Sequence, residues 1–301
     1  MKSRIFIITG VVLLSVSCLG KQKMDDVLPT KYVEKVDSIP DLTQTDPDLG
    51  LLYGGQKSCD SVSVTNSLVW LADHGYENMV LKNEDGSASY AKTAHLLDRI
   101  LSPASGGTLP PSFIRGLERY FSGQGYSEED YEIEFQGWYH PDGFEGVLIP
   151  NINRIKKGLI GDGAVWLFVG FYQYDRQKDE YQIISHHYVT LVGYGLDEDG
   201  KENPNVLIVH DPAPRSGPGT THNYVHIKEI EGGQITVGSN PLFGFYPQLP
   251  IDATGYFRLG NGLAYNDLAD IAILDGVIIL EMKQIGIPNS GGLTPAPPDS
   301  G

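Results

Sequence analysis

The chain has 301 residues, and its 38 acidic against 22 basic residues give a formal net charge of −16. So acidic a surface repels phosphate backbones, and we therefore expect no nucleic acid partner. Hydrophobic residues make up 41% of the sequence. That share excludes a wholly disordered chain and is enough for one large or two small cores.

The N-terminus has the layout of a secretory signal. Residues 1–18 read MKSRIFIITGVVLLSVSC, with basic residues, an apolar core and then small residues before Cys18. The core is too short to span a membrane as a stable helix. The end of this segment, LLSVSC, resembles the lipobox of bacterial lipoproteins, although Ser15 stands where Leu is usual. The resemblance implies that residues 1–18 are a lipoprotein signal peptide and that lipidated Cys18 attaches the protein to a bacterial membrane. Ordinary cleavage, with Cys18 lost or left free, is the alternative.

The rest of the chain divides by composition. Residues 19–48 are polar and contain several prolines, which is typical of a tether between membrane and domain. Residues 49–285 carry the hydrophobic periodicity and are expected to form the folded domain. Residues 286–301 read GIPNSGGLTPAPPDSG and predict a flexible tail.

Helical patterns come first in the domain. Apolar residues recur with helical spacing from Val64 to Ala72, which predicts a helix over 59–74. The same spacing predicts helices over 87–101, 111–122 and 151–160.

Strands dominate the second half. Residues 131–139 alternate as a half-buried strand does, and a polar Arg-Gln-Lys-Asp turn between 164–175 and 180–195 predicts a hairpin. Further strands are expected over 205–212, 224–230, 234–238 and 271–283. Helices followed by an antiparallel sheet predict an α+β fold with an N-terminal helical lobe and a C-terminal sheet lobe.

The second cysteine of the chain, Cys59, lacks a disulfide partner once Cys18 is acylated or removed. An odd cysteine in an exported protein suggests an intermolecular bond or a reactive thiol. Cys59 precedes the apolar stripe of its helix, and free N–H groups at a helix start stabilise a thiolate. A small buried hydrophobe is the alternative interpretation.

Two other side chains complete a possible catalytic set. A thiol nucleophile needs a base, and His187 opens the apolar strand HYVTLVGYG. His186 points to the opposite face, and the strand pattern alone leaves open which of the two faces the thiol. Asp211 ends the strand NVLIVHDP and could orient the imidazole, whereas a simple turn is the alternative for an Asp-Pro pair.

The stretches CDSVSVTNSLVWL, HYVTLVGYG and VLIVHDP together resemble the papain superfamily (clan CA) of cysteine peptidases. The similarity is greatest to bacterial leader peptidases of bacteriocin exporters and their secreted relatives, with some likeness to immunoglobulin-cleaving peptidases. It covers about residues 50–230. The resemblance implies a papain-like two-lobed fold with Cys59 as nucleophile, His187 as base and Asp211 as the orienting carboxylate.

The oxyanion-stabilising glutamine departs from this family pattern. The exporter peptidases carry it six residues before the cysteine, where this chain has Tyr53; the nearest glutamine is Gln56. Either Gln56 still reaches the site, or another donor serves, or the oxyanion hole is defective. The backbone N–H of Cys59 would be one donor in each case.

The sequence thus predicts a secreted, lipid-anchored cysteine hydrolase that cleaves peptide or amide bonds in a protein or peptide substrate. No cofactor is expected, because zinc-ligand spacing, a Cys-x-x-Cys pair and a phosphate-binding loop are lacking from the sequence. The alternative is a catalytically inactive, papain-fold binding lipoprotein of the cell envelope.

Overall fold

The computed structural model describes residues 27–101, 108–139, 146–213, 222–237, 249–263 and 268–283. Within these ranges the chain forms four α-helices and a nine-stranded sheet, so the predicted α+β class is confirmed. The predicted signal peptide with Cys18 and the predicted tail over 286–301 lie outside the described residues. No helix of the described ranges is both long and apolar enough to cross a membrane.

The helices occur where apolar periodicity predicts them. They are α1 (Cys59–Asp73), α2 (Tyr90–Leu101), α3 (Pro110–Gly123) and α4 (Ile152–Leu159). Helix α2 begins later than predicted because Ser87 is held in a turn by Asp85, whose carboxylate accepts from its N–H at 3.0 Å and its hydroxyl at 2.6 Å. These local side-chain bonds compete with helix formation.

The strands also follow the predicted pattern, and β2 and β3 form the predicted hairpin. The strands are β1 (Tyr131–Gly137), β2 (Gly163–Asp175), β3 (Glu180–Leu196), β4 (Glu202–His210), β5 (Asn223–Glu229), β6 (Gln234–Thr236), β7 (Ile251–Asp252), β8 (Phe257–Gly260) and β9 (Ile271–Met282). The short strands β7 and β8 were not predicted, since so few residues show no clear alternation.

Six of these strands close into an antiparallel barrel. Strand β2 pairs with both β3 and β9, and the ring continues through β4, β5 and β8. Alternate side chains point inward and form one apolar cluster, which includes Val169, Val189, Leu207 and Leu274. Strand β1 extends the sheet beyond β9, while β6 pairs with β3 in the parallel direction.

Helix α1 lies against the outer face of this barrel, with α2 on its other side. The sequence predicts one buried face for this helix, yet all residues from Asp60 to Leu71 are buried. Small polar residues permit this close packing, and the hydroxyls of Ser61, Ser63 and Thr65 find partners. Ser63 is the main docking point: its hydroxyl donates to Tyr188 O at 3.0 Å, and its carbonyl accepts from Trp166 Nε1 at 3.0 Å.

The segment predicted as a polar tether, residues 19–48, differs most from the sequence-based expectation. From residue 27 onward this segment is described, and it packs on the domain instead of extending away from it. Tyr32 pairs with Tyr194 through backbone hydrogen bonds of 3.0 and 2.9 Å. Val36 and Ile39 are buried, and so is Lys35. We call residues 32–44 the N-terminal strap.

Candidate active site

Cys59 is the first residue of α1. Among the described residues it is the cysteine with a free thiol. It is half-buried and packs against the core cluster between the helices and the sheet. Its backbone N–H has no hydrogen-bond partner among the described residues. An unsatisfied N–H at a helix start is able to bind a developing negative charge.

His187 and Asp211 meet beside this thiol. The ring nitrogen Nε2 of His187 lies 2.6 Å from Oδ1 of Asp211, and the same carboxylate oxygen accepts the backbone N–H of Ala213 at 2.9 Å. The side chain of Cys59 also interacts electrostatically with His187. Because Asp211 occupies Nε2, the nitrogen left for the thiol is Nδ1.

The electrostatics of this trio favour a charged imidazole. Burial by itself lowers the pKa of His187, since it disfavours the cation. The negative charge of Asp211, the interaction with Cys59 and the hydrogen bond to Asp211 outweigh burial, so the pKa of His187 is raised above its ordinary value. The arrangement therefore supports an imidazolium next to the side chain of Cys59.

Strand register explains why these residues meet. Strand β4 pairs with β3 so that His210 stands opposite Thr190, and the chain then turns at Asp211. Thr190 donates from Oγ1 to Ser63 O at 2.9 Å, which fixes α1 over the same stretch of β3. Cys59 lies one helical turn before Ser63 and is thereby held next to His187.

His186 points to the other face of β3, as strand alternation predicts. Its Nε2 lies 3.2 Å from Oδ2 of the fully buried Asp275, and its ring stacks on Phe168 with centroids 4.4 Å apart. Tyr172 donates its hydroxyl to the Asp275 carboxylate at 2.7 Å. A Cβ at Gly170 would lie only 2.0 Å from Oδ2 of Asp275, so this carboxylate needs a glycine beside it. His186 thus belongs to a separate buried polar cluster.

The two glutamines near Cys59 differ in their surroundings. Gln56 is exposed, and its side chain makes no hydrogen bond among the described residues. Gln44 is buried, and its backbone N–H donates to Pro212 O at 2.8 Å. Its carbonyl touches Gly55 so closely that a Cβ there would lie 1.6 Å away. The sequence gives no signal for Gln44, because it falls within the predicted tether.

An apolar cavity of about 560 Å³ lies near the polar cluster of His186. Trp138 forms part of its wall, and the Trp138 ring centroid is 6.2 Å from that of His186. Leu148 and Ile149 line the cavity and are themselves 53% and 40% exposed. The cavity is therefore an accessible apolar surface beside the His186 cluster.

The site consists of amino-acid side chains. No group of His, Cys, Asp and Glu residues in the described part of the chain has an arrangement that could hold a metal ion. No protein-family model matches the chain, and a search of curated proteins finds no match. What the site does is therefore inferred from its geometry and chemistry.

Proposed function

We propose that the protein is a papain-like cysteine hydrolase that cleaves peptide or amide bonds. The observation that carries this proposal is the position of His187 between the thiol of Cys59 and the carboxylate of Asp211. A nucleophile, a base and a group that orients the base are what thiol catalysis requires. Helix α1 packed on an antiparallel barrel supports the two-lobed papain-like arrangement that the sequence motifs imply.

In the proposed reaction the Cys59 thiolate attacks the carbonyl carbon of the scissile bond. A carbon–sulfur bond forms, and the carbonyl oxygen takes the negative charge. The His187 imidazolium then gives its proton to the leaving amine as the carbon–nitrogen bond breaks, which leaves a thioester. Water next gives a proton to His187 and attacks the thioester, so that the acid product leaves and the thiolate–imidazolium pair is restored.

The oxyanion formed in each half-reaction needs hydrogen-bond donors. The N–H of Cys59 supports this role, because it has no other partner among the described residues.

A papain-fold binding lipoprotein without catalysis is the second candidate function. One observation favours it: Gln56, the predicted second oxyanion donor, is exposed and makes no side-chain contact that would aim it at the site. Under either function the protein is proposed to be extracytoplasmic and held at the cell envelope through lipidated Cys18.

A covalent probe distinguishes the two functions. The folded protein is incubated with a peptidyl epoxide or fluoromethyl ketone, which needs both a thiolate and a neighbouring proton donor, and peptide mass spectrometry locates the label. A hydrolase should be labelled at Cys59, and His187→Ala should prevent labelling. The matched control is His226→Ala, at a partly exposed histidine paired with Glu198, which should be labelled as wild type is. A thiol that reacts only after unfolding would refute the hydrolase proposal.

A further inference from the structure

We propose that the N-terminal strap (residues 32–44) is a positioning element of the active site, acting through His210 to hold Asp211 against His187. This inference rests on the proposed function, because it assigns a role in orienting the catalytic base. It gives the segment predicted as a tether a part in catalysis that composition does not suggest.

The strap binds the chain on both sides of Asp211. On one side, Nδ1 of His210 lies 3.1 Å from Pro40 O. On the other side, the N–H of Gln44 donates to Pro212 O at 2.8 Å. The strap thus binds the two residues that flank Asp211 in the chain. A carboxylate that must meet an imidazole at 2.6 Å tolerates little movement of its backbone.

His210 is the central contact, and its tautomer follows from its partners. A carbonyl oxygen can only accept, so Nδ1 of His210 carries a hydrogen toward Pro40. Its other nitrogen, Nε2, lies 3.1 Å from Nδ1 of His222, and the two rings are stacked with centroids 5.4 Å apart. His222 in turn places Nε2 3.3 Å from Oδ1 of Asp37. The strap therefore holds His210 directly at Pro40, whereas the route through His222 ends at Asp37, whose side chain is 94% exposed.

The strap also makes contacts with α1 and with the barrel, which hold the strap itself in place. Trp70 donates from Nε1 to Ser38 Oγ at 3.0 Å, and Asn66 accepts the N–H of Leu42 at 3.2 Å. Lys35 is fully buried, donates to Gly163 O at 2.5 Å and lies 3.9 Å from the centroid of the Trp70 ring. The strap contacts both α1, which carries Cys59, and the loop that carries Asp211. It therefore fixes the position of Cys59 relative to Asp211.

Replacing His210 by residues that keep one of its two contacts tests the inference. In His210→Asn the amide nitrogen can take the place of Nδ1 and keep the Pro40 contact; in His210→Gln the amide group can take the place of Nε2 and keep the His222 contact. His210→Ala keeps neither, and His226→Ala is the control outside the site. For each variant the rate of Cys59 alkylation by iodoacetamide is measured against pH on the folded full-length chain, together with the melting temperature.

We expect His210→Ala to alkylate about 10- to 100-fold more slowly than wild type near neutral pH, as a small misplacement of a catalytic group does. His210→Asn should recover most of the rate, and His210→Gln should not. The nuclear magnetic resonance signal of the His187 ring proton should shift in the slow variants, which a loss of stability alone would not cause. If His210→Ala fails to fold, the comparison of Asn with Gln decides.

Three results would overturn the inference. Wild-type rates in all variants would show that Asp211 does not need the strap. Equal slowing by Asn, Gln and Ala would exclude the Pro40 contact as the reason, and recovery by Gln alone would assign the role to the His222 contact. A failure of the proposed function itself looks different, because Cys59 would then be inert in the wild-type protein as well.

Discussion

His187 and Asp211 face each other at 2.6 Å, with 7% and 1% of their surfaces exposed. A buried, hydrogen-bonded pair of this kind holds the imidazole in one orientation, and its charge stabilises the imidazolium. The chain reaches this geometry because β4 pairs with β3 in a register that brings the end of one strand beside the start of the apolar run of the other.

Removing either partner should therefore change the thiol chemistry by different amounts. His187→Ala should make Cys59 alkylation slow at neutral pH and fast only in alkaline solution, and should remove nearly all turnover, since general acid–base catalysis contributes about 10²–10⁴ in rate. Asp211→Asn should be milder toward the thiol, because the ring keeps its place, yet should still lower turnover. Equal rates for both variants and wild type between pH 5 and 9 would contradict the assignment.

The same pair should affect stability in a pH-dependent way. The pKa of folded His187 is raised, so its contribution to stability is fully present below the unfolded value of about 6.5 and is lost as the pH rises through the folded value. Asp211→Asn removes a cause of this shift, so its loss in unfolding free energy should be larger at pH 6 than in alkaline solution. Urea unfolding at several pH values measures the difference.

His186→Ala should leave the alkylation rate near that of wild type while lowering stability. His186 is paired with Asp275, and truncation leaves that fully buried carboxylate with one partner fewer. Loss of a partner for a buried polar group costs about 1–3 kcal/mol. If His186→Ala abolishes turnover while His187→Ala is tolerated, the assignment of roles on β3 is wrong by one residue.

The predicted anchor is tested on the protein from its own membrane fraction. Residues 1–17 should be absent and Cys18 should carry acyl chains, since small residues precede this cysteine in the predicted signal. Mass spectrometry of the intact protein and of its N-terminal peptide shows both features. A mature chain that begins after residue 18 and is found free in the supernatant would exclude the anchor.

Local patterns predicted most elements but not what surrounds them. Apolar spacing located α1, because Val64 and Leu68 repeat at the helical period. It did not predict that the other faces of α1 are buried too, since this depends on hydroxyl partners such as Tyr188 O, which lies 125 residues from Ser63. Strand alternation likewise predicted that His187 and His186 lie on opposite faces of β3. It did not predict that Asp275 is the partner of His186.

The strap was missed for a related reason. A segment with few apolar residues and several prolines predicts a solvated tether, and a lysine within it strengthens that expectation. Lys35 is nevertheless fully buried, because Gly163 O, 128 residues away in the chain, accepts its hydrogen bond and the Trp70 ring faces its charge. No property of the segment itself contains that information.

The two glutamines give a matched pair of variants. Gln44→Ala should lower turnover more than Gln56→Ala, because the Gln44 side chain is buried, with its Oε1 unpaired among the described residues, whereas Gln56 is exposed. Loss of one oxyanion donor costs about 10²–10³ in kcat, which is the upper limit for either variant. The reverse order, with Gln56→Ala the slower enzyme, would restore Gln56 as the oxyanion donor.

Lys35 should make the stability of the protein depend on pH in a direction opposite to His187. Burial lowers the pKa of Lys35 from 10.5 to about 7, although the negative charges of Asp162 and Glu34 oppose the shift. The unfolded chain therefore binds one more proton than the folded chain between these two values. By linkage, stability rises with pH across this window, by at most about 1.4 kcal/mol for each pH unit.

Lys35→Met isolates this effect, since methionine fills a similar volume beside Trp70 without a charge. Relative to this variant, the wild-type protein should gain about 2 kcal/mol in unfolding free energy between pH 7 and pH 9. Lys201→Met, at a lysine whose side chain is 74% exposed, is the control and should follow wild type at every pH. Parallel curves for wild type and Lys35→Met would mean that the lysine stays protonated in the folded chain, held by Gly163 O and Trp70 despite its burial.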